Sequence, residues 1–252
     1  MIKELGLKKF QSDANGIYIL SKIQIENIAE DFLKILAPKS LKNILPTPMG
    51  QIIWKLKKNY KLDFIFSKDL DQTDDGRKIF GEYRNKPPKI FLDKSFKIVE
   101  RTGWKFIIAH EIGHYILHSN IKNRENIIKD TRDNLLKVNH QANKNEFDWI
   151  EWQANKFASA LLLPKKTFLF SIDKLIASDI GYGYPHDYLF VDGQPCNLKT
   201  YWDIIAVLRS TFDLSEKIIR FRLIDLGKLK DERLYKKNTQ DVLYNLMVKL
   251  FK

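Results

Sequence analysis

The chain has 252 residues, a length that can bury a real core in one domain or in one domain with a small appendage. Its 43 Lys and Arg residues exceed its 31 Asp and Glu residues and give a net charge of +12, but no dense arginine cluster typical of a nucleic-acid site appears. Cys196 is the one cysteine, which excludes an internal disulfide, and we expect neither a secretory signal nor a transmembrane segment.

The N-terminal part of the chain predicts helices followed by a small sheet. Apolar residues recur at helical spacing over residues 23–36, and a second helix is expected at 51–60, after a connector at 38–48. Aromatic and β-branched residues predict three strands, the last two joined by a turn around residues 85–88. These strands are expected at residues 62–66, 78–83 and 89–92. An edge strand of such a sheet is expected to hold an extended peptide.

Residues 110–114 have the sequence His-Glu-Ile-Gly-His, within a segment that is apolar almost all round. Two histidines four residues apart on a helix can reach one metal ion, and the glutamate between them can take a proton from water beside the metal. Because the helix is expected to be buried, its polar groups need partners, which a metal would supply. Gly113 indicates a close backbone approach. The alternative is a structural helix whose histidines bond to local carbonyls.

A third metal ligand is expected from a second helix, because catalytic zinc usually has three protein ligands and an open position. Glu151 lies in the middle of an apolar helical stripe that ends before Pro164. If that helix were rotated, Glu146 or Asp148 would take its place. His118 continues the i, i+4 series but lies about 11–12 Å beyond the first histidine, so we expect it to be an outer partner or a surface residue.

The His-Glu-Ile-Gly-His segment and the Glu-x-x-Ala-Asn segment that begins at Glu151 resemble the ImmA/IrrE family of metallopeptidases. The similarity extends over roughly residues 20–227. It implies an α+β, zincin-like core in which a small sheet lies beside the His-Glu-x-x-His helix. It also implies that His110, His114 and Glu151 are the metal ligands and that Glu111 is the catalytic base.

The resemblance implies a cellular role as well. Members of the family are cytoplasmic bacterial proteins, and those that are understood cleave transcriptional repressors during mobile-element induction or stress responses. By similarity, this chain is expected to be a cytoplasmic zinc endopeptidase that acts on a DNA-binding repressor. Manganese is a possible alternative metal, because availability in the cell decides between metals of similar preference.

Hydrolysis at such a site needs groups beyond the ligands and the base. An oxyanion has to be stabilised beside the metal, and the candidates are Tyr182, Tyr184 and His186. A side chain from outside the ligand set is expected to orient a ligand, and Asp148 or Asn155 is suitably placed in the sequence.

Two segments depart from the compact family pattern. Residues 119–145 are long and polar, and residues 165–200 are aromatic, with a hairpin turn predicted at Asp192-Gly193. They are interpreted as inserts that form a lid or a substrate-selecting wall, or else as tolerated surface insertions. The predicted metallopeptidase domain, with both inserts, spans residues 1–200.

Residues 201–252 are predicted to form a helical, helix-turn-helix-like region. One helix would end near Thr211 and a second would be capped by Ser215. If the pair binds DNA, the contacts would be Lys217, Arg220 and Arg222. We favour the alternative, in which the pair packs against the catalytic core or docks a partner. A last stretch with helical spacing, residues 242–250, is expected to pack or to form a dimer contact.

Two other functions are compatible with these motifs. The first is a DNA-binding regulator with a structural zinc site. Glu111 argues against it, since a structural site usually has four protein ligands and needs no base. The second is a partner-binding regulator, of the repressor or toxin–antitoxin type, with a non-catalytic metal site.

Overall fold

The computed structural model describes residues 1–70, 72, 78–94, 103–121, 127–131, 146–178 and 187–233. The helices in these segments are α1 (Lys22–Leu36), α2 (Met49–Tyr60), α3 (Gly103–Leu117), α4 (Glu146–Leu162), α5 (Lys165–Ile176), α6 (Pro195–Phe212) and α7 (Glu216–Asp225). The strands are β1 (Asp63–Lys68), β2 (Ile79–Arg84), β3 (Lys89–Asp93), β4 (Ile127–Thr131), β5 (Leu189–Val191) and β6 (Leu229–Asp231). The predicted α+β class is confirmed.

The larger sheet has the strand order β1-β3-β2-β4. Strand β1 runs parallel to β3, whereas β2 is antiparallel to both β3 and β4. The three strands predicted from the sequence are therefore confirmed, and β4 adds a fourth from a segment that had been interpreted as polar insert. Helix α3 packs on β2, where the rings of Tyr83 and Tyr115 meet edge to face with centroids 6.0 Å apart. The small sheet thus lies beside the His-Glu-x-x-His helix, as predicted.

Helix α1 packs against α4 through the apolar stripe that the sequence predicted. Ser21 caps α1: its hydroxyl accepts from the Gln24 amide, and the Gln24 side chain accepts from the Ser21 amide. Phe32 of α1 meets Phe157 of α4 edge to face, with centroids 5.7 Å apart. These contacts hold α4 between α1 on one side and α3 on the other.

The crossing of α3 and α4 depends on Gly113. A Cβ atom at residue 113 would lie 3.2 Å from the Cα atom of Ala154 and 3.3 Å from its carbonyl oxygen. Any side chain larger than hydrogen would therefore push the two helices apart. This confirms the close approach predicted from the glycine, and it brings the histidine-bearing face of α3 onto α4.

The two C-terminal helices pack on the core, and a DNA-binding helix-turn-helix is not confirmed. Helix α6 ends at Phe212, and Asp213 adopts a left-handed conformation with φ of 50° before α7 begins. Arg222, predicted as a possible DNA contact, is completely buried, so that assignment is wrong. Arg220 is paired with Asp231 at 3.1 Å. Of the three predicted contacts, Lys217 is the exposed one.

The predicted hairpin at Asp192-Gly193 is also wrong. Strand β5 is followed directly by α6 and pairs in parallel with the distant strand β6. The Asp192 carboxylate accepts from the Gln194 amide at 2.8 Å and from the Asn197 side chain at 3.1 Å, so it organises the start of a helix instead of a two-residue turn. Pro195 at the first helical position suits that start. A domain boundary at residue 200 would fall inside α6.

Candidate metal centre

Three buried side chains converge where α3 crosses α4. The Nε2 atoms of His110 and His114 lie 2.9 Å apart. Glu151 brings one carboxylate oxygen to 3.3 Å from Nε2 of His110 and the other to 3.5 Å from Nε2 of His114. The two histidines are completely buried, and Glu151 is 4% exposed. The structure therefore brings together the three residues that the sequence predicted as ligands.

The spacing of these atoms fits a tetrahedral metal site. Ligand atoms about 2.0–2.1 Å from a zinc ion at tetrahedral angles would lie about 3.3 Å from one another. The observed separations of 2.9, 3.3 and 3.5 Å lie close to that value, although the last two end on different oxygens of Glu151. Two imidazole nitrogens and one carboxylate are also a donor set that zinc accepts in catalytic sites. The three residues could therefore hold a metal ion and leave a coordination position for water.

Glu111 follows His110 on α3, and its carboxylate packs against β2, one of the two central strands of the sheet. A Cβ atom at Gly81 of β2 would be only 2.0 Å from the Oε1 atom of Glu111 and 2.8 Å from its Cδ atom. The carboxylate thus occupies the space that a side chain at residue 81 would fill. Glu111 is completely buried, so its position is set by protein atoms and not by bulk water.

Asn155 orients one of the histidines. Its side-chain oxygen lies 3.0 Å from Nδ1 of His110, and because an amide oxygen only accepts, Nδ1 carries the proton. The Nε2 atom of His110 then carries the lone pair that a metal would bind. Of the two residues that the sequence suggested for this role, Asn155 fills it; the Asp148 side chain lies outside the described part of the structure.

His118 is buried and supports the other histidine. Its Nδ1 atom lies 2.8 Å from Nδ1 of His114, and its Nε2 atom lies 3.1 Å from the side-chain oxygen of Gln153. The sequence left His118 as either an outer partner or a surface residue, and the structure shows the outer partner. Gln153 was not singled out from the sequence. Its only signal was a polar residue two positions after Glu151 on a largely apolar helix.

The family comparison agrees with this geometry. Residues 65–176 match the family model of the IrrE N-terminal-like domain, which is peptidase family M78. This segment is therefore similar to the IrrE-like peptidase family. The matched segment contains the three candidate ligands and Glu111, and it extends through α5, the first part of the segment predicted to be an aromatic insert. No curated protein matches the chain.

The match to the IrrE-like peptidase family supports a metallopeptidase domain, and the buried His-His-Glu group could supply its metal site. Other predicted parts of the site fall elsewhere: Tyr182, Tyr184 and His186, the candidates for oxyanion stabilisation, lie outside the described residues. Within the described segments, no helix combines the length and the apolar character needed to cross a membrane.

Proposed function

We propose that this protein is a zinc-dependent endopeptidase that cleaves a regulatory protein, such as a DNA-binding transcriptional repressor, in the bacterial cytoplasm. The observation that carries the proposal is the buried group of His110, His114 and Glu151, together with the buried Glu111 that follows His110 on α3. A structural zinc site would have no use for Glu111 as a second acidic residue that is not a ligand. Manganese remains the alternative metal.

The chemistry follows from what each side chain can do. When bound, the metal would polarise the scissile carbonyl and lower the pKa of a water molecule toward about 7. Glu111 would take the proton of the attacking water and deliver it to the leaving amine. Gly81 leaves room for that carboxylate, and Asn155 keeps His110 in the tautomer that binds through Nε2. Each residue named here would thus bind the metal, position another side chain or transfer a proton.

An extended peptide suits the sheet beside the site. In the described sheet, β4 lies at the edge and pairs with β2, the strand that contacts Glu111 through Gly81. A substrate strand can bind such an edge through backbone hydrogen bonds, with little dependence on its side chains. This arrangement supports an endopeptidase that recognises an extended segment of a protein.

The competing DNA-binding function is weakened by the same structure. Arg222 is fully buried, and Arg220 is engaged with Asp231. A surface that reads DNA needs arginine and lysine side chains that reach phosphates and base edges. The net charge of +12 is consistent with attraction to an acidic or DNA-bound substrate.

The proposal is tested by cleavage of defined substrates. Wild type and Glu111→Gln, each loaded with zinc or manganese and assayed for metal content, are incubated with a repressor encoded beside the protein and with a proteome-derived peptide library. Mass spectrometry should show discrete cuts made by wild type alone, while both proteins hold one equivalent of metal. Equal cleavage by Glu111→Gln would contradict the assignment of the base. Fully loaded wild type that cuts neither material would favour the partner-binding function.

A further inference from the structure

A chain of buried hydrogen bonds leads from His114 to the N-terminal segment. Nδ1 of His114 lies 2.8 Å from Nδ1 of His118, and Nε2 of His118 lies 3.1 Å from the side-chain oxygen of Gln153. The side-chain nitrogen of Gln153 donates to the backbone carbonyl of Tyr18 at 2.7 Å. His114, His118 and Gln153 are each 2% exposed or less. Bulk water therefore does not reach these links.

The carbonyl at the end of this chain determines its direction. A carbonyl oxygen can only accept, so Gln153 presents its NH2 group to Tyr18 and its oxygen to His118. His118 must then be protonated on Nε2 and accept through Nδ1. That leaves Nδ1 of His114 as the donor. The Nε2 atom of His114 consequently presents a lone pair to the group formed with His110 and Glu151.

We propose that His118, Gln153 and the Tyr18 carbonyl are positioning groups that hold His114 in its metal-binding tautomer and orientation. The N-terminal turn, residues 12–20, is then part of the metal centre although it lies outside the family-matched segment 65–176. This inference rests on the proposed function in one respect, namely that His114 is a metal ligand.

The N-terminal turn is built firmly enough to act as an anchor. The Asp13 carboxylate accepts from the backbone amides of Asn15 at 3.0 Å and Ile17 at 2.8 Å. Gly16 adopts φ of +85°, and a Cβ atom there would lie 2.5 Å from the carbonyl oxygen of Asn120, just beyond α3. The Asn120 side chain also donates to the Tyr18 hydroxyl. The turn is thus fixed against the end of the helix that carries the histidines.

The two histidine ligands are supported in different ways. His110 contacts one amide, Asn155, whereas His114 depends on three successive groups that end on another part of the chain. Removing a partner that orients a metal-binding histidine typically lowers metal affinity 10–100-fold. We expect the same loss of metal affinity when the series of hydrogen bonds is broken by a substitution at His118 or at Gln153, even though neither residue is a proposed metal ligand.

The decisive experiment compares two substitutions at His118. Leucine removes the acceptor that faces His114, whereas asparagine places its side-chain oxygen close to where Nδ1 lies. The zinc dissociation constant is measured by competition with a chromophoric chelator. We expect His118→Leu to weaken binding about 10–100-fold and His118→Asn to recover most of that loss. Gln153→Met, which keeps the length of the side chain but cannot donate or accept, should weaken binding in the same direction.

A control separates positioning from general stability. The hydroxyl of Tyr201, a buried residue on α6, donates a hydrogen bond to the Glu216 carboxylate. Tyr201→Phe removes that hydroxyl, so it should lower the melting temperature of the metal-free protein without changing zinc affinity. The proposed function itself is checked by His114→Ala, which should abolish stoichiometric binding.

The outcomes are distinguishable. If His114→Ala binds zinc like wild type, the metal site of the proposed function is wrong. If His114→Ala loses zinc but both His118→Leu and Gln153→Met bind it normally, only the positioning role is overturned. Equal weakening by His118→Leu and His118→Asn would also overturn it, because the loss would then come from packing and not from the acceptor.

Discussion

Helix α4 takes part in two buried polar clusters that differ in how their charge is balanced. In the first, which we call the arginine cluster, Glu26, Lys156, Arg222 and Asp225 join α1, α4 and α7. Arg222 makes a two-pronged contact with Glu26 and donates to the carbonyl of Leu163 at 3.0 Å. Asp225 is paired with Lys156 and with Arg222. The carboxylates of the arginine cluster are therefore paired with positively charged side chains.

In the candidate metal centre, the carboxylate of Glu151 has partners of a different kind. Glu151 faces the Nε2 atoms of two histidines, and an imidazole that offers its lone pair carries no positive charge. A buried carboxylate in such surroundings is costly unless a cation joins it. The comparison teaches that burial of polar groups does not identify a functional site; the kind of partner does. The arginine cluster pairs its carboxylates with arginine and lysine, whereas the metal centre places its carboxylate against two histidines, a group that could hold a metal ion.

The largest expected effect comes from breaking the arginine cluster. Arg222→Met keeps much of the side-chain volume but leaves Glu26, whose side chain is 12% exposed, without its cation, and the loss of a buried partner typically costs about 3–5 kcal/mol. Urea unfolding of the metal-free protein measures it. Arg209→Met on exposed α6 surface is the matched control and should change stability by less than about 0.5 kcal/mol. Similar stabilities of the two variants would show that the cluster does not hold α7 on the core.

Adding metal should distinguish the contributions of the two clusters to stability. A ligand that binds only the folded state stabilises it by about 2.7 kcal/mol at a free concentration 100 times its dissociation constant. Wild type and Arg222→Met should both gain this stability on zinc addition, and a chelator should remove it. His114→Ala should gain none. A gain in that variant equal to the wild-type gain would place the bound metal elsewhere.

Local patterns in the sequence were sufficient for several of the helices and for the three side chains that the structure brings together. Helical periodicity located α1 and α3, and two histidines four residues apart with one buried glutamate identified the centre. These features depend on residues close together in the chain. The crossing of α3 and α4 could also be predicted, because a helical glycine signals close approach.

Contacts between distant residues could not be predicted in the same way. Strand β5 pairs with β6, which lies beyond two helices, so no local turn signal announces the pairing. Arg222 appears in the sequence as one basic residue among many, and only the fold places Glu26 opposite it. The link from His118 through Gln153 to Tyr18 joins three separate segments through one backbone carbonyl, which carries no sequence signal.

A smaller change at the sheet should affect catalysis and leave both clusters intact. Gly81→Ala places a Cβ atom in the space now occupied by the Glu111 carboxylate, which must move. A displacement of about 1 Å can cost about 100-fold in rate, so we expect kcat to fall 10–100-fold while zinc affinity is retained. Gly50→Ala in α2, where a Cβ atom would meet no neighbour within 4 Å, is the control. Unchanged kcat in Gly81→Ala would contradict the assigned position of the base.

The smallest expected effect is on the stability of the protein at acid pH. Burial alone would raise the pKa of Asp225, but the positive charges of Lys156, Lys22 and Arg222 outweigh burial and hold that pKa below its ordinary value of 3.8. A carboxyl group whose pKa is lower in the folded than in the unfolded state stabilises the protein above pH 3.8, and this contribution is lost as pH falls through the folded-state pKa. Metal-free wild type should therefore lose stability below about pH 4, and Asp225→Asn should lose less over the same interval. Urea unfolding across that interval measures both. An identical acid loss in the two proteins would show that Asp225 carries none of it, and the arginine cluster would then owe its stability to Glu26 and Arg222.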